Sequence, residues 1–105
     1  MTTLTSLTLN DISMHDLKFL KNLTNLRFLS LEGNDIYDIS VLAQLINLTE
    51  LHLNMNEVSD IRPLKKLTRL KHLEIRQNCV KDFRPLRQLT SLRYLDASEN
   101  DDINE

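Results

Sequence analysis

The residues best suited to chemistry in this 105-residue chain are two histidines and two glutamates at a regular spacing. Glu50 and His52 lie two positions apart, and His72 and Glu74 repeat that spacing 22 residues further on with the two residue types exchanged. Two imidazoles and two carboxylates form a ligand set that Zn²⁺ accepts in proteins. Whether these four side chains can meet depends on the elements that carry them.

The interval of 22 residues runs through the whole chain. Residues 26–47 follow L-x-x-L-x-L-x-x-N-x-I-x-D-I-x-x-L-x-x-L-x-x, and this template accounts for nearly every apolar residue. The neighbouring stretches follow it too, with one clear exception, because Ile12 stands where the ninth-position Asn is expected. A single domain over residues 1–105 is predicted, divided into repeats 4–25, 26–47, 48–69, 70–91 and a partial repeat 92–105.

This pattern resembles leucine-rich repeats, and the 22-residue period with N-x-I-x-D-I is most similar to the internalin-type and phosphatase-regulator-type classes. The resemblance implies an α/β fold, a right-handed leucine-rich-repeat solenoid. About five short parallel strands would line its concave face, and short helices or 3₁₀ turns its convex face. Because this fold serves as a scaffold for many binding functions, the function has to be argued from the surface.

Asparagine recurs at the ninth position of every repeat after the first. The turn that follows each strand directs backbone N–H and C=O groups toward the interior, where they need partners. An inward Asn side chain supplies both a donor and an acceptor to such groups. We therefore predict a structural ladder rather than a binding site for Asn34, Asn56, Asn78 and Asn100.

Aspartate recurs at the thirteenth position, directly before the convex segments. An Asp carboxylate accepts hydrogen bonds from the free N–H groups of a first helical turn, which makes it a good N-cap. Pro63 and Pro85 follow three residues later in two repeats, where a missing N–H is tolerated. Calcium binding is not favoured, because each acid stands alone in its repeat. Capping is therefore predicted for Asp16, Asp38, Asp60 and Asp82.

The concave face can be analysed in columns, because adjacent parallel strands lie about 4.8 Å apart. Alternation directs the third, fifth and seventh template positions to solvent, so an aromatic residue there is not explained by the core. Phe28 and Tyr94 are therefore the residues most in need of a partner. The predicted partner-binding residues are Phe28, Glu50, His52, His72, Glu74, Arg76, Tyr94 and Asp96.

Charges on this face suggest specific neighbours. Glu50 and His72 are expected side by side in one column, and His52 and Glu74 in the next. The carboxylates of Glu74 and Asp96 are also adjacent, so they repel unless a cation lies close. That cation would come from Arg76 or from a partner.

Two interpretations of the histidines and glutamates remain open. They could ligate zinc, but a flat strand surface splays side chains outward, whereas a closed metal site needs ligands converging from several directions. Cross-strand charge pairing and hydrogen bonding explain the pattern as well. We therefore predict no metal and no cofactor. No Ser-His-Asp or Cys-His arrangement is evident, so a non-enzymatic protein is expected.

Charge is unevenly distributed along a chain of formal net charge −2. Residues 62–93 contain ten Lys or Arg and only two acidic residues. This basic convex belt is either a solvated polar face or an anion-binding surface, and no aromatic residue interleaves it as stacking on bases requires. Its convex members are Arg62, Lys65, Lys66, Arg69, Arg84 and Arg87.

These features favour protein recognition, with another protein or a peptide bound on the concave sheet. One alternative is anion or nucleic-acid binding through the belt of residues 62–93, although nucleic acid is not expected. Another is a repeat-domain fragment or designed scaffold without its own ligand. Repeat one lacks a helical cap, so self-association through its open edge is also predicted.

The location expected from the chain is cytoplasmic. The single Cys79 cannot form an internal disulfide, so nothing requires an oxidising compartment. No apolar run is long enough to cross a membrane, and the N-terminus lacks an apolar signal-peptide core. The domain would be secreted if it were excised from a secreted larger parent.

Overall fold

Five parallel strands form one open sheet in the order in which they occur along the chain. The computed structural model describes residues 3–100. The strands are β1 (Ser6–Thr8), β2 (Phe28–Ser30), β3 (Glu50–His52), β4 (His72–Glu74) and β5 (Tyr94–Asp96). Four convex 3₁₀ segments alternate with them, at Lys18–Asn22, Ser40–Gln44, Arg62–Lys66 and Arg84–Gln88. This architecture confirms the predicted leucine-rich-repeat solenoid.

The convex segments are 3₁₀ turns because their apolar residues recur every three positions. Backbone hydrogen bonds run from Leu42 N–H to Ile39 C=O at 2.9 Å and from Leu45 N–H to Leu42 C=O at 3.0 Å. A 3₁₀ helix has three residues per turn, so side chains three apart lie on the same face. Ile39, Leu42 and Leu45 accordingly all point into the core and are buried.

The core lies between the sheet and the convex segments. The central leucines of the three inner strands, Leu29, Leu51 and Leu73, are all 0% exposed. Leu95 holds the same place in β5 but is 43% exposed, while Leu7 in β1 is partly buried. Of the two edge strands, β5 therefore has the more exposed core leucine. Within residues 3–100, no helix is long and apolar enough to span a membrane.

The ninth-position asparagines are buried, and each one closes the turn of the repeat before it. The Asn56 Oδ1 atom accepts from Asn34 N–H at 2.9 Å and from Ile36 N–H at 3.0 Å. Its Nδ2 donates to Leu31 C=O at 2.9 Å. Asn34 serves Ile12 N–H in the same way, at 2.9 Å. Ile12, the ninth residue of repeat one, thus donates its backbone N–H to the Asn of the next repeat, and its side chain takes no part in this bond.

Each thirteenth-position aspartate precedes by one residue the N-cap position that was predicted for it. Ile61 occupies the N-cap of the third 3₁₀ segment and makes no side-chain capping bond, while Pro63 lies in its first turn. The Asp60 carboxylate instead accepts a hydrogen bond from Arg62 N–H, two residues later in the chain, at 3.0 Å, as in an Asx turn. The same bond joins Asp16 to Lys18, Asp38 to Ser40 and Asp82 to Arg84.

The turn after each strand requires a left-handed backbone at the eighth template position. Gly33 has φ of 70°, and a Cβ atom there would lie 2.1 Å from Asp11 Oδ1. The other repeats use residues with side chains at this position, although the left-handed region costs them energy. These residues are Asp11, Met55, Gln77 and Glu99, with φ between 56° and 60°.

Candidate recognition site on the concave sheet

The strand register places the predicted neighbours side by side. Glu50 is paired with His72, and His52 is paired with Glu74, as predicted from the repeat. The adjoining strands extend the first column, since Phe28 is opposite Glu50 and Tyr94 is opposite His72. The alternation of the L-x-L segments thus presents one continuous polar and aromatic surface.

Four rings lie in contact across this surface from β2 to β5. The ring centroids of Phe28 and His52 are 5.3 Å apart, and those of His52 and His72 are 5.0 Å apart. Tyr94 stacks on His72 at 4.5 Å, with 17° between the planes. We call Phe28, His52, His72 and Tyr94 the ring row. Phe28 and Tyr94 share a column, but they are joined through His52, which belongs to the next column.

Each histidine of the ring row forms its shortest hydrogen bond along its own strand. His52 Nε2 lies 2.7 Å from a Glu50 carboxylate oxygen, and His72 Nε2 lies 2.6 Å from Glu74. The other ring nitrogen of His52, Nδ1, is 3.3 Å from Glu74 and 3.6 Å from Glu32. Because ionised carboxylates only accept hydrogen bonds, both nitrogens of His52 are in positions that favour a proton.

The charges of this cluster shift two pKa values. Burial lowers the pKa of His52, but the hydrogen bond to Glu50 and the charge of Glu74 outweigh it and raise that pKa above 6.5. Desolvation raises the pKa of Glu74. Hydrogen bonds from His72 and Asn54, with the charge of His52, have the larger effect and lower that pKa below 4.5. Both groups are therefore stabilised in their charged forms.

Two further residues of the cluster, Glu32 and Asn54, were not among the predicted site residues. The Asn54 Nδ2 atom donates to Glu32 at 2.9 Å and to Glu74 at 2.7 Å. Its Oδ1 atom accepts from Arg76 N–H at 2.8 Å. The sequence signal was their seventh template position, which places both on the concave face but does not show that Asn54 bridges two carboxylates.

Of the two sources predicted for a cation near Glu74 and Asp96, the structure provides Arg76, although hydrogen bonds have the larger effect on Asp96. Hydrogen bonds from the side chain and backbone of Ser98 lower the pKa of Asp96, with a smaller contribution from the charge of Arg76. Glu74 already has the partners described above. The Arg76 guanidinium lies 3.2 Å from Glu99. The repulsion between the two carboxylates is therefore balanced within the chain.

The carboxylates and imidazoles also converge more than the sequence predicted. Potential ligand atoms of Glu50, His52 and His72 all lie within 4.8 Å of one another. Those of Glu32, His52 and Glu74 do so as well. The expectation that a strand surface would splay these groups apart is therefore wrong. Contact between the two tilted imidazoles, with centroids 5.0 Å apart, brings residues of neighbouring strands together.

The basic convex belt is partly neutralised by acids of the same repeats. Arg62 lies 2.8 Å from Asp60, and Arg84 lies 2.9 Å from Asp82. The hydrogen bonds from these guanidinium groups and the backbone lower the pKa of both carboxyls to about 2. Two of the six convex cations are thus already engaged by carboxylates.

Comparisons with known proteins give the same repeat architecture. A family model for leucine-rich repeats in two copies matches residues 24–66 and again residues 46–88. An internalin of Listeria monocytogenes is 34% identical with a TM-score of 0.93, covering 94% of this chain and 29% of that chain. Internalin C2 of Listeria monocytogenes is 35% identical with a TM-score of 0.77, covering 79% and 37%.

A leucine-rich repeat protein of Leptospira interrogans is 28% identical with a TM-score of 0.82, covering 91% of this chain and 26% of that chain. A comparison with curated proteins finds no match. The chain thus spans 26% to 37% of the length of these three structures.

Leucine-rich repeat proteins and internalins are generally non-catalytic, and their repeats commonly mediate protein–protein interaction. The two family matches together span residues 24–88, more than half of the sequence. With the five-stranded parallel sheet and its 3₁₀ segments, they show that the chain belongs to the leucine-rich repeat family.

Proposed function

We propose that this chain is a non-catalytic recognition module that binds another protein or a peptide on its concave sheet. The observation that carries the proposal is the ring row, four rings in contact across four strands. The inward leucines already fill the core, so packing of the core does not account for these rings. Aromatic side chains are enriched in protein interfaces, because they bury a large apolar area and keep a polar tip.

The Tyr94 end of the ring row is the strongest candidate for a binding hot spot. Tyr94 is 48% exposed. Arg76 lies two residues after the end of the neighbouring strand β4, and half of its side-chain surface is accessible. Tyr and Arg are over-represented among the residues that dominate interface energies. Three strand intervals of about 4.8 Å separate Phe28 from Tyr94, so the row measures about 14 Å. A short peptide or one loop can cover that distance.

The surrounding charge favours a partner segment that carries basic or polar groups. Carboxylates of Glu32, Glu50 and Glu74 all lie beside the ring row, at distances of 3.6 Å or less from His52. Although these groups are paired within the chain, their negative potential still attracts cations and steers a charged partner to this face.

The experiment is selection of a random peptide library against the whole chain, followed by affinity measurements on the strongest binder. Tyr94→Ala and Arg76→Ala should each weaken that binder by more than about 1 kcal/mol, roughly fivefold or more. The matched controls are Tyr37→Ala, which removes a tyrosine 65% exposed, and Lys65→Ala on the convex belt. Both should leave the affinity unchanged.

Other outcomes would assign a different function. Loss of binding in Lys65→Ala or Arg87→Ala, with affinity that collapses as salt is added, would assign the activity to the basic convex belt. Retention of full affinity by both Tyr94→Ala and Arg76→Ala would also contradict the proposal. Failure to select any binder would favour a scaffold without a ligand of its own.

A further inference from the structure

We propose that Glu50, His52 and His72 form a binding site for a divalent transition metal, with Zn²⁺ as the best fit. Their potential ligand atoms lie within 4.8 Å of one another, and all three side chains are partly buried. Two imidazole nitrogens and one carboxylate oxygen are the ligand set of many zinc sites that keep a fourth position open. Calcium and magnesium prefer ligand sets made of oxygen, so they fit this site less well.

The three potential ligand atoms lie close together because their side chains belong to two paired strands. Glu50 and His52 belong to β3, and their side chains already approach to 2.7 Å. His72 belongs to β4, and its ring lies 5.0 Å from the ring of His52 at an angle of 31°. Because His72 Nε2 is bonded to Glu74 at 2.6 Å, His72 would either exchange that carboxylate for the metal or ligate through Nδ1.

The arrangement around His52 supplies the outer contact that zinc sites usually contain. A histidine that ligates zinc through one nitrogen usually donates the other N–H to a carboxylate or carbonyl, which sets its tautomer and orientation. The Nδ1 atom of His52 lies 3.3 Å from Glu74, and its Nε2 atom lies 2.7 Å from Glu50. Nε2 is therefore the nitrogen that would ligate the metal. Asn54 holds the Glu74 carboxylate with a hydrogen bond of 2.7 Å. We therefore assign Glu74 as a positioning residue.

A second group on this face, Glu32 with His52 and Glu74, is a weaker alternative. It offers only one imidazole, and it would use Nδ1 of His52, the nitrogen that otherwise holds the ring in place. Zinc prefers the group with two nitrogens. Binding would replace the proton shared between His52 Nε2 and Glu50, so that proton would pass to solvent.

The experiment is calorimetric titration of the whole chain with Zn²⁺, using protein that carries no polyhistidine tag. We expect one Zn²⁺ per chain, and affinity at least tenfold lower in each of His52→Gln, His72→Gln and Glu50→Gln. His15→Gln is the matched control, because it removes an exposed histidine outside the cluster and should bind Zn²⁺ as the unaltered chain does.

Co²⁺ in place of Zn²⁺ provides a spectroscopic measurement of the same site. Strong visible absorption bands of four-coordinate Co²⁺ should appear with the unaltered chain and with His15→Gln, and should be lost in His72→Gln. Glu74→Gln should keep these bands while its affinity falls about 10- to 100-fold, as expected for a positioning residue. Excess Ca²⁺ should not displace the metal.

The proposal is overturned if His52→Gln and His72→Gln bind Zn²⁺ as tightly as the unaltered chain, or if His15→Gln alone abolishes binding. Should circular dichroism show that His52→Gln is unfolded, His72→Gln and Glu50→Gln decide the question. The titration contains no protein partner, so its result is independent of the proposed recognition function.

Discussion

The side-chain oxygen of Asn56 accepts a hydrogen bond from the backbone N–H of Ile36, twenty residues earlier, at 3.0 Å. The same oxygen accepts from Asn34 N–H, and the amide nitrogen donates to Leu31 C=O. One buried amide thus satisfies several backbone groups of the preceding turn. Repeat stacking in this protein depends on such polar bonds as well as on the leucine core.

Asn56→Ala should therefore strongly lower the free energy of unfolding. Each buried backbone group left without a partner costs about 1–3 kcal/mol. Asn22→Ala, at an exposed position, should change stability by no more than about 0.5 kcal/mol. Asn54→Ala should fall between them, because Asn54 is partly buried and bonds Glu32 and Glu74. Equal urea midpoints for Asn56→Ala and Asn22→Ala would show that the ladder does not stabilise the fold.

Gln77→Gly should stabilise the protein by up to about 1 kcal/mol. Gln77 has φ of 57°, a conformation that costs an L-residue about 1–2 kcal/mol, and glycine removes most of this cost while adding some unfolded-state entropy. Glu57→Gly, at a turn position outside the left-handed region, serves as the control and should be destabilising. A loss of stability in both variants, measured by thermal unfolding, would contradict the expectation.

Gly33→Ala should have the opposite effect. The backbone there has φ of 70°, and the added Cβ would lie 2.1 Å from Asp11 Oδ1, so the Asp11 side chain would have to move. We expect destabilisation of at least about 1 kcal/mol in chemical denaturation. The double variant with Asp11→Ala should recover the part caused by the collision. No recovery would mean that the backbone conformation alone accounts for the loss.

Acid should remove the stabilisation that comes from Asp82. Its pKa is about 2 in the folded chain, against an ordinary value of 3.8, because the Arg84 guanidinium donates to its carboxylate. A lowered folded-state pKa adds stability above pH 3.8, and that contribution is lost as the pH falls through about 2. The stability difference between Asp82→Asn and the unaltered chain should accordingly shrink below pH 4.

The cause of that shift can be tested separately by NMR titration of the carboxyl group. Arg84→Ala should return the pKa of Asp82 toward its ordinary value. An unchanged pKa in Arg84→Ala would assign the shift to the backbone hydrogen bond from residue 84 and to the charge of Arg87.

Concentration-dependent self-association through repeat one remains a prediction. The edge strand β1 exposes backbone groups that can pair with another chain, and a lysine at Thr8 should disfavour such pairing. Leu95→Lys is the corresponding change at β5, where the core leucine is 43% exposed. Sedimentation equilibrium should show weaker association in Thr8→Lys than in Leu95→Lys. The reverse order would assign the contact to β5, and a monomeric unaltered chain at high concentration would rule out both.

The sequence alone was sufficient for the strands and their register, whereas it left the convex segments as either short helices or 3₁₀ turns. Leucines in L-x-L alternate between core and solvent, and the apolar residues at intervals of three, such as Ile39, Leu42 and Leu45, lie on one face of a 3₁₀ turn. Both patterns are local, and the 22-residue period repeats them, so strand order follows directly. The partners of Asn56 were predictable in kind for the same reason, because buried turn groups must be satisfied.

Only the tertiary structure determined which concave side chains meet. Strand register sets where each Cβ atom lies, but the rotamer of each side chain depends on neighbours in three adjacent strands at once. His52 could have paired across the sheet with Glu74 alone. Instead its ring lies between Phe28 and His72, its Nε2 contacts Glu50, and its Nδ1 faces Glu74. A one-dimensional pattern contains the columns of this surface, whereas the contacts between columns depend on how the side chains pack.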